Sequence, residues 1–371
     1  MRVLICPDKF AGTLSAPEAA DAIAAGWRES AGDDTLVLRP LADGGPGFLD
    51  VLAAALPGRR VPVRTTDPLG RPTDAALFVV GDTAYVESAQ ACGLHLLTAA
   101  ERDPKRTTSY GLGLLLAAAA ETGARTVVVG LGGSATNDAG AGMLAALGAA
   151  PVDDTGRTLP YGGAALAAAA GLTGAPRLRG VTLVAATDVD NPLTGLSGAS
   201  AVFGPQKGAD ADDVQRLDLA LTRYAEVLAR DVPGCPPDVA TLPGAGAAGG
   251  LGAGLYALGA TRTSGAGLVR SLVDLDAALD DCDLVITGEG SFDFQSLRGK
   301  LPAMVAGAAA ERGVPCLVLA GRVDVGRREA AAAGIEAAYS VVEEVGSVEA
   351  ALAEPAAGLR ALAARTARKW R

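Results

Sequence analysis

Short β-branched or Leu-rich runs alternate along this chain with Ala-rich stretches of helical length. No other feature narrows the fold as much. Parallel strands need long crossovers, and helices are the usual way to make them, so the rhythm predicts an α/β protein. Strands are expected over 3–6, 36–39, 126–130, 182–186, 284–287, 316–320 and 338–342. Helices are expected over 17–29, 109–121, 140–147, 211–228, 301–312 and 348–368. Residues 60–89 break the rhythm. Three extended runs, near 61–65, 75–79 and 84–88, are joined by turn sequences such as Asp67-Pro-Leu-Gly70. They predict an antiparallel meander and a crossing into a second domain. Residues 230–254 are rich in Pro, Gly and Ala without periodicity and read as a loop or lid.

Composition excludes several classes. With 371 residues the chain suits two domains or one large one, and 49% hydrophobic with 20% charged residues rules out disorder. A net charge of −10 argues against nucleic acid as a partner. Cys6, Cys92, Cys235, Cys282 and Cys316 are scattered, with no CxxC, which points to a reducing, cytoplasmic setting without disulfides or a zinc ribbon. No signal peptide is expected at the N-terminus. Gly and charge interrupt every apolar run before about 18 residues, so no membrane span is expected. His95 is the single histidine and reads as a packing or surface residue, which leaves no room for a multi-His metal site within the chain.

Ligands of open α/β sheets sit beyond the carboxyl ends of the strands. Here polar, Gly-rich turns follow several strands. Asp8 and Lys9 follow the first, and Ser15 with Glu18 then forms a capping box. Asp43, Gly44 and Gly45 form a tight turn that is either an ordinary left-handed turn or a close approach to a ligand. Gly132, Gly133, Ser134, Ala135, Thr136 and Asn137 lie between a strand and a helix, where backbone N–H groups attract phosphate. The plain alternative is a Gly turn with Asn137 or Asp138 as helix cap. Asp188, Asp190 and Asn191 offer hard oxygens suited to Mg²⁺, or simply a polar turn before Pro192. Glu289, Asp293, Gln295, Ser296, Arg298 and Lys300 gather acids, an amide, a hydroxyl and cations within one turn. That density suits a polyhydroxy acid and phosphate, or a solvated loop capped by Ser296. Glu87 to Gln90, with Ser88, and Phe203 to Gly208, with Lys207, are lesser candidates. No GxxxxGK[ST], protein-kinase signature or GxSxG is present.

Taken in order, these segments resemble the bacterial type-1 glycerate kinase family. The resemblance is carried by Asp8-Lys9-Phe10, Ala42 to Gly45, Glu87 to Leu94, Thr107 to Gly111, Gly130 to Asp138, Ala186 to Leu193, Phe203 to Ala209, Pro243 to Gly252 and Ile286 to Lys300. It thins beyond about residue 320. The sequence departs from the family pattern at Ala11, Pro46 and Ala139. The resemblance implies ATP-dependent phosphorylation of D-glycerate, usually at O2 to give 2-phosphoglycerate and ADP, with Mg²⁺. It also implies two intertwined α/β domains with the active-site cleft between them. The expected division is residues 1–59 plus 265–371 for a Rossmann-like domain with a parallel sheet, and 60–264 for a second α/β domain carrying the meander.

The chemistry then suggests roles. Residues 132–137 would cradle ATP phosphates. Asp188 and Asp190 would hold Mg²⁺, or one would accept the hydroxyl proton. Lys9 and Lys300 would serve the transferring phosphoryl or the glycerate carboxylate. Asp8, Asp43, Gly44, Gly45, Ser88, Glu289, Asp293, Gln295 and Ser296 would bind glycerate. D-Glycerate and ATP are the expected partners, with no nucleic acid and no membrane, and there is room for a homodimer. Three rival readings stay open: a kinase acting at O3 or on a related hydroxy acid, a nucleotide-dependent oxidoreductase using Gly130-Leu-Gly132-Gly133-Ser-Ala135 as a GxGxxA fingerprint, and a silent sugar-acid sensor.

Overall fold

The computed structural model describes every residue except 11, 179, 298 and 371. Ala11 and Arg298 therefore lie outside the described residues. The chain divides into two compact units: Met1–Ala42 with Asp50–Leu56 and Ala266–Arg371, and Asp43–Leu49 with Pro57–Gly265.

The first unit holds a five-stranded sheet in the order Ala337–Ser340, Cys316–Ala320, Leu284–Thr287, Arg2–Ile5, Thr35–Leu38. Every pairing is parallel. Strands Leu284–Thr287 and Cys316–Ala320 are buried at every position, which is why they read as unbroken apolar runs. Helix Ala16–Ser30 begins at the expected capping box: Ser15 Oγ accepts from Glu18 N at 3.3 Å, and Glu18 Oε2 accepts from Ser15 N at 2.8 Å. It packs on helix Pro355–Lys369. At Gly26 the two backbones nearly touch, since a Cβ there would lie 2.0 Å from the Arg360 carbonyl oxygen.

The second unit holds a six-stranded mixed sheet in the order Thr261–Thr263, Thr182–Ala186, Thr126–Gly130, Thr83–Glu87, Pro72–Val80, Arg59–Thr66. The first four strands run parallel. The last two add antiparallel pairings, which is the expected meander. Its first hairpin closes on Asp67, whose Oδ1 accepts from Leu69 N at 2.8 Å, with Gly70 at φ 81°. Helix Ala211–Asp231 is capped by Asp210, which accepts from Asp213 N at 2.8 Å.

Two expectations need correction. The helix expected over 348–368 is two helices, Val348–Ala353 and Pro355–Lys369, broken at Glu354 because the residue before proline disfavours helical backbone. The loop expected over 230–254 instead ends in helix Ala247–Ala257, entered through three left-handed residues, Ala248, Gly249 and Gly250. Close packing explains the glycines that hid it, since a Cβ on Gly252 would lie 2.0 Å from the Gly244 carbonyl oxygen. Among the described residues no helix is long and apolar enough to cross a membrane.

Candidate functional site

In the second unit the Asp43-Gly44-Gly45 turn crosses the carboxyl ends of strands Thr126–Gly130 and Thr182–Ala186. Glycine makes the crossing. A Cβ on Gly44 would lie 2.9 Å from the Ala186 carbonyl oxygen, one on Gly130 would lie 2.4 Å from the Gly44 carbonyl oxygen, and one on Gly132 would lie 2.7 Å from the Gly45 Cα. Gly44 also holds φ at 91°, a left-handed conformation that penalises any side chain. Asp43 Oδ1 accepts from Gly45 N at 2.9 Å and fixes the turn. Glu87, buried at the end of its strand, accepts from Gly47 N at 3.1 Å and Leu49 N at 3.3 Å. Ser88 Oγ donates to the Gly130 carbonyl at 2.8 Å. Fully buried, Ser88 holds a strand end in place.

The 132–137 loop turns outward only at Gly132 and Gly133, while Ser134, Ala135, Thr136 and Asn137 are buried. Asn137 Nδ2 donates to Ser200 Oγ at 2.9 Å, whereas Asn137 Oδ1 and Thr136 Oγ1 have no partner among the described residues. Asp138 knots the loop to two helices. Its carboxylate accepts from Ser109 N and Ser109 Oγ, both at 2.9 Å, and from Gly140 N and Gly142 N, both at 3.2 Å. Burial nevertheless pushes the Asp138 carboxyl up. The following helix, Ala141–Ala146, begins only after this knot and is short, so the backbone at 132–137 is a loop rather than a helix start. Ala139 takes the left-handed φ of 48°, and Pro46 lies under Gly133, where a Cβ would meet its Cγ at 2.7 Å.

Beyond strand Thr182–Ala186 stand Asp188 and Asp190, both exposed. Ser264 Oγ donates to Asp188 Oδ1 at 2.5 Å, and the Arg262 guanidinium pairs with Asp190 Oδ1. Both partners come from or just after strand Thr261–Thr263, which lies beside strand Thr182–Ala186. Among the described residues no group of three or more His, Cys, Asp or Glu side chains could hold a metal by itself. Two carboxylates suit a cation such as Mg²⁺, which takes one or two protein carboxylates and completes its shell from water and substrate phosphate.

In the first unit, the ends of strands Arg2–Ile5 and Leu284–Thr287 continue side by side, with Cys6 N donating to the Ile286 carbonyl and Asp8 N to the Gly288 carbonyl, both at 2.8 Å. This places Asp8 and Lys9 beside Glu289. Asp8 Oδ1 accepts from Lys9 N at 2.7 Å and lies 3.7 Å from Lys9 Nζ. Glu289 is buried, and its Oε1 has no partner among the described residues. Burial holds the Glu289 carboxyl above its ordinary value, against the pull of Ser296, Lys300 and Lys9. Asp293 Oδ1 accepts from Gln295 N at 2.8 Å and Ser296 N at 3.2 Å. Ser296 is buried inside this turn, while Gln295 and Lys300 are exposed. Lys300, rather than Ser296, occupies the cap position of helix Leu301–Ala310.

The sequence matches the Glycerate kinase family over residues 3–371. The chain belongs to the glycerate kinase family. It is 43% identical over 361 residues to the glycerate 2-kinase of Escherichia coli, covering 95% of this chain and 93% of that one. It is 42% identical over 348 residues to the glycerate kinase of Bacillus subtilis, covering 92% and 90%. A crystal structure assigned as glycerate kinase 2 of Salmonella typhimurium superposes with a TM-score of 0.82 at 42% identity, covering 100% of this chain and 98% of that one. Membership of this family makes the chain a kinase, a class the GxGxxA oxidoreductase reading does not share.

The structure also brings forward residues that the sequence reading passed over. Arg262 and Ser264 had no motif to mark them. Lys207 stood only in a lesser candidate turn. Each meets its partner across more than seventy residues of chain. A scarce lysine within a Gly-rich turn was the one available signal.

Proposed function

We propose that this glycerate kinase transfers a phosphoryl group from ATP to O2 of D-glycerate, giving 2-phosphoglycerate and ADP. The observation that carries this is the match along nearly the whole chain to a protein named glycerate 2-kinase. The geometry supports it. Phosphoryl transfer asks for in-line positioning and charge stabilisation rather than covalent catalysis. Gly132, partly exposed, and Gly133, exposed, would offer backbone N–H groups to the ATP phosphates. Asp188 and Asp190 would hold Mg²⁺, which when bound neutralises phosphate charge.

The remaining roles fall to charge and hydrogen bonding. The O2 oxygen forms its bond to the γ-phosphorus as the bridge to ADP breaks, and its proton passes to Asp188 or Asp190 when one of the two acts as base instead of holding Mg²⁺, and to solvent when both hold it. Lys9 and Lys300 counter the charge on the phosphoryl group or the glycerate carboxylate. Asp8, Asp43, Gly44, Gly45, Glu289, Asp293 and Gln295 would bind glycerate. Ser88 and Ser296 act by holding the backbone on which these groups stand. The test is ³¹P NMR of a reaction containing ATP, Mg²⁺ and D-glycerate, set against authentic 2- and 3-phosphoglycerate. The 2-phosphoglycerate resonance is expected. The 3-isomer would overturn O2, and no phosphoester would overturn the substrate.

A further inference from the structure

Lys207 is only 2% exposed, which is unusual for an ammonium group. Burying such a charge is costly unless the charge is put to use. Its Nζ donates to Ser134 Oγ at 3.0 Å and to the Thr136 carbonyl at 2.7 Å. An ammonium has three protons, and no third partner is present among the described residues. The titratable groups facing it are Asp138 and Cys92. Neither is among its hydrogen-bond or ion-pair contacts, and Asp138, which accepts from Ser109, Gly140 and Gly142, attracts it only through space. Gly249 closes the far side, where a Cβ would lie 2.8 Å from Nζ and 1.8 Å from the Thr136 carbonyl oxygen. On the near side a cavity of about 110 Å³ is lined by Gly132, Gly133, Ser134, Gln206 and Lys207. That volume exceeds what one water needs.

We propose that Lys207 is a positioning residue for the phosphate loop, pinning Ser134 and Thr136 from beneath and supplying the positive charge that the loop's neutral donors lack. This rests on the reading that residues 132–137 bind ATP phosphates. The ligand class is a nucleoside di- or triphosphate. The loop has no other cation among its own residues, so a buried ammonium under two open glycines completes an anion site.

The experiment compares Lys207→Met, Lys207→Arg and Gly132→Ala with the wild type. It measures kcat, both KM values, and ADP affinity by calorimetry. Lys207→Met is expected to weaken ADP binding and raise KM for ATP by about 10- to 100-fold, the worth of a hydrogen bond to a charged group. KM for glycerate should stay within about twofold, a split that general loss of packing would not give. Lys207→Arg, which keeps the charge, should bind ADP more tightly than Lys207→Met. An equal rise in both KM values, or no change in ADP affinity, overturns the proposal. Should Lys207→Met not fold, wild-type ADP affinity that stays flat above pH 7 overturns it instead. If Gly132→Ala binds ADP as the wild type does, the loop reading itself fails. If Gly132→Ala loses ADP and Lys207→Met does not, only the role of Lys207 fails.

Discussion

The Arg262 guanidinium reaches from one strand to the turn beyond its neighbour and pairs with the Asp190 carboxylate. The pair is largely exposed, with 78% of the Asp190 side chain open to solvent, so it contributes little to stability. Its effect is on where the carboxylate points. Asp190→Asn is expected to lower kcat on the order of 10³-fold, in the range of a lost acid–base or charge role, with an unchanged melting temperature. Arg262→Ala should cost about 10-fold, as loss of an orienting partner does. Steady-state kinetics alongside a thermal melt decide it, and near-wild-type turnover in Asp190→Asn would remove that residue from the mechanism.

Gly132→Ala tests the backbone crossing. The new Cβ would stand 2.7 Å from the Gly45 Cα, a contact that only main-chain movement relieves. A loss of about 1–3 kcal/mol in stability is expected, with a fall in kcat/KM for ATP. Urea unfolding and kinetics measure the two parts. A variant as stable and active as the wild type would show that the turn and the loop do not need this approach.

Asp138 is predicted to carry structure rather than chemistry. Asp138→Ala strands the buried N–H groups of Ser109, Gly140 and Gly142 and should cost on the order of 3 kcal/mol. Asp138→Asn keeps one acceptor oxygen and should cost less. The urea midpoints of the two variants should fall in that order, and the reverse order would refute the knot.

The pH dependence follows from Lys207, which burial pulls down from 10.5 to about 7. Between pH 7 and 10.5 the unfolded chain binds the proton and the folded chain has released it, so this group makes stability rise with pH across that window. Phosphate needs the charged form, so ADP affinity should fall above pH 7, by up to about tenfold per pH unit. Lys207→Arg keeps its proton throughout and should lack this fall. Calorimetry of ADP binding from pH 6.5 upward reads it directly, and parallel profiles for the two proteins would exclude Lys207 as the titrating group.

Much of this was legible because it is local. The Ser15–Glu18 capping box, the Asp67 hairpin and the apolar runs of the parallel strands are each set by neighbours within a few residues. Asp8, Asp43, Gly132 and Asp188 could be picked out because each follows an expected strand. What the site residues touch was not legible. Ser264 on Asp188, Arg262 on Asp190 and Lys207 on Ser134 join segments more than seventy residues apart that only the fold brings together. Helix Ala247–Ala257 stayed hidden because its glycines serve close packing, which erases an amphipathic pattern.

The glycine crossing also fixes an order of events as the chain leaves the ribosome. Residues 43–45 emerge early, yet the surface they rest on includes Gly130, Ala186 and Gly265. The turn cannot seat until strands Thr126–Gly130 and Thr182–Ala186 have been made and paired. Such a long-range closure is slow, because the loop entropy must be overcome before any contact offsets it. Most of the nascent chain must therefore be synthesised before the turn that we propose for glycerate binding can seat.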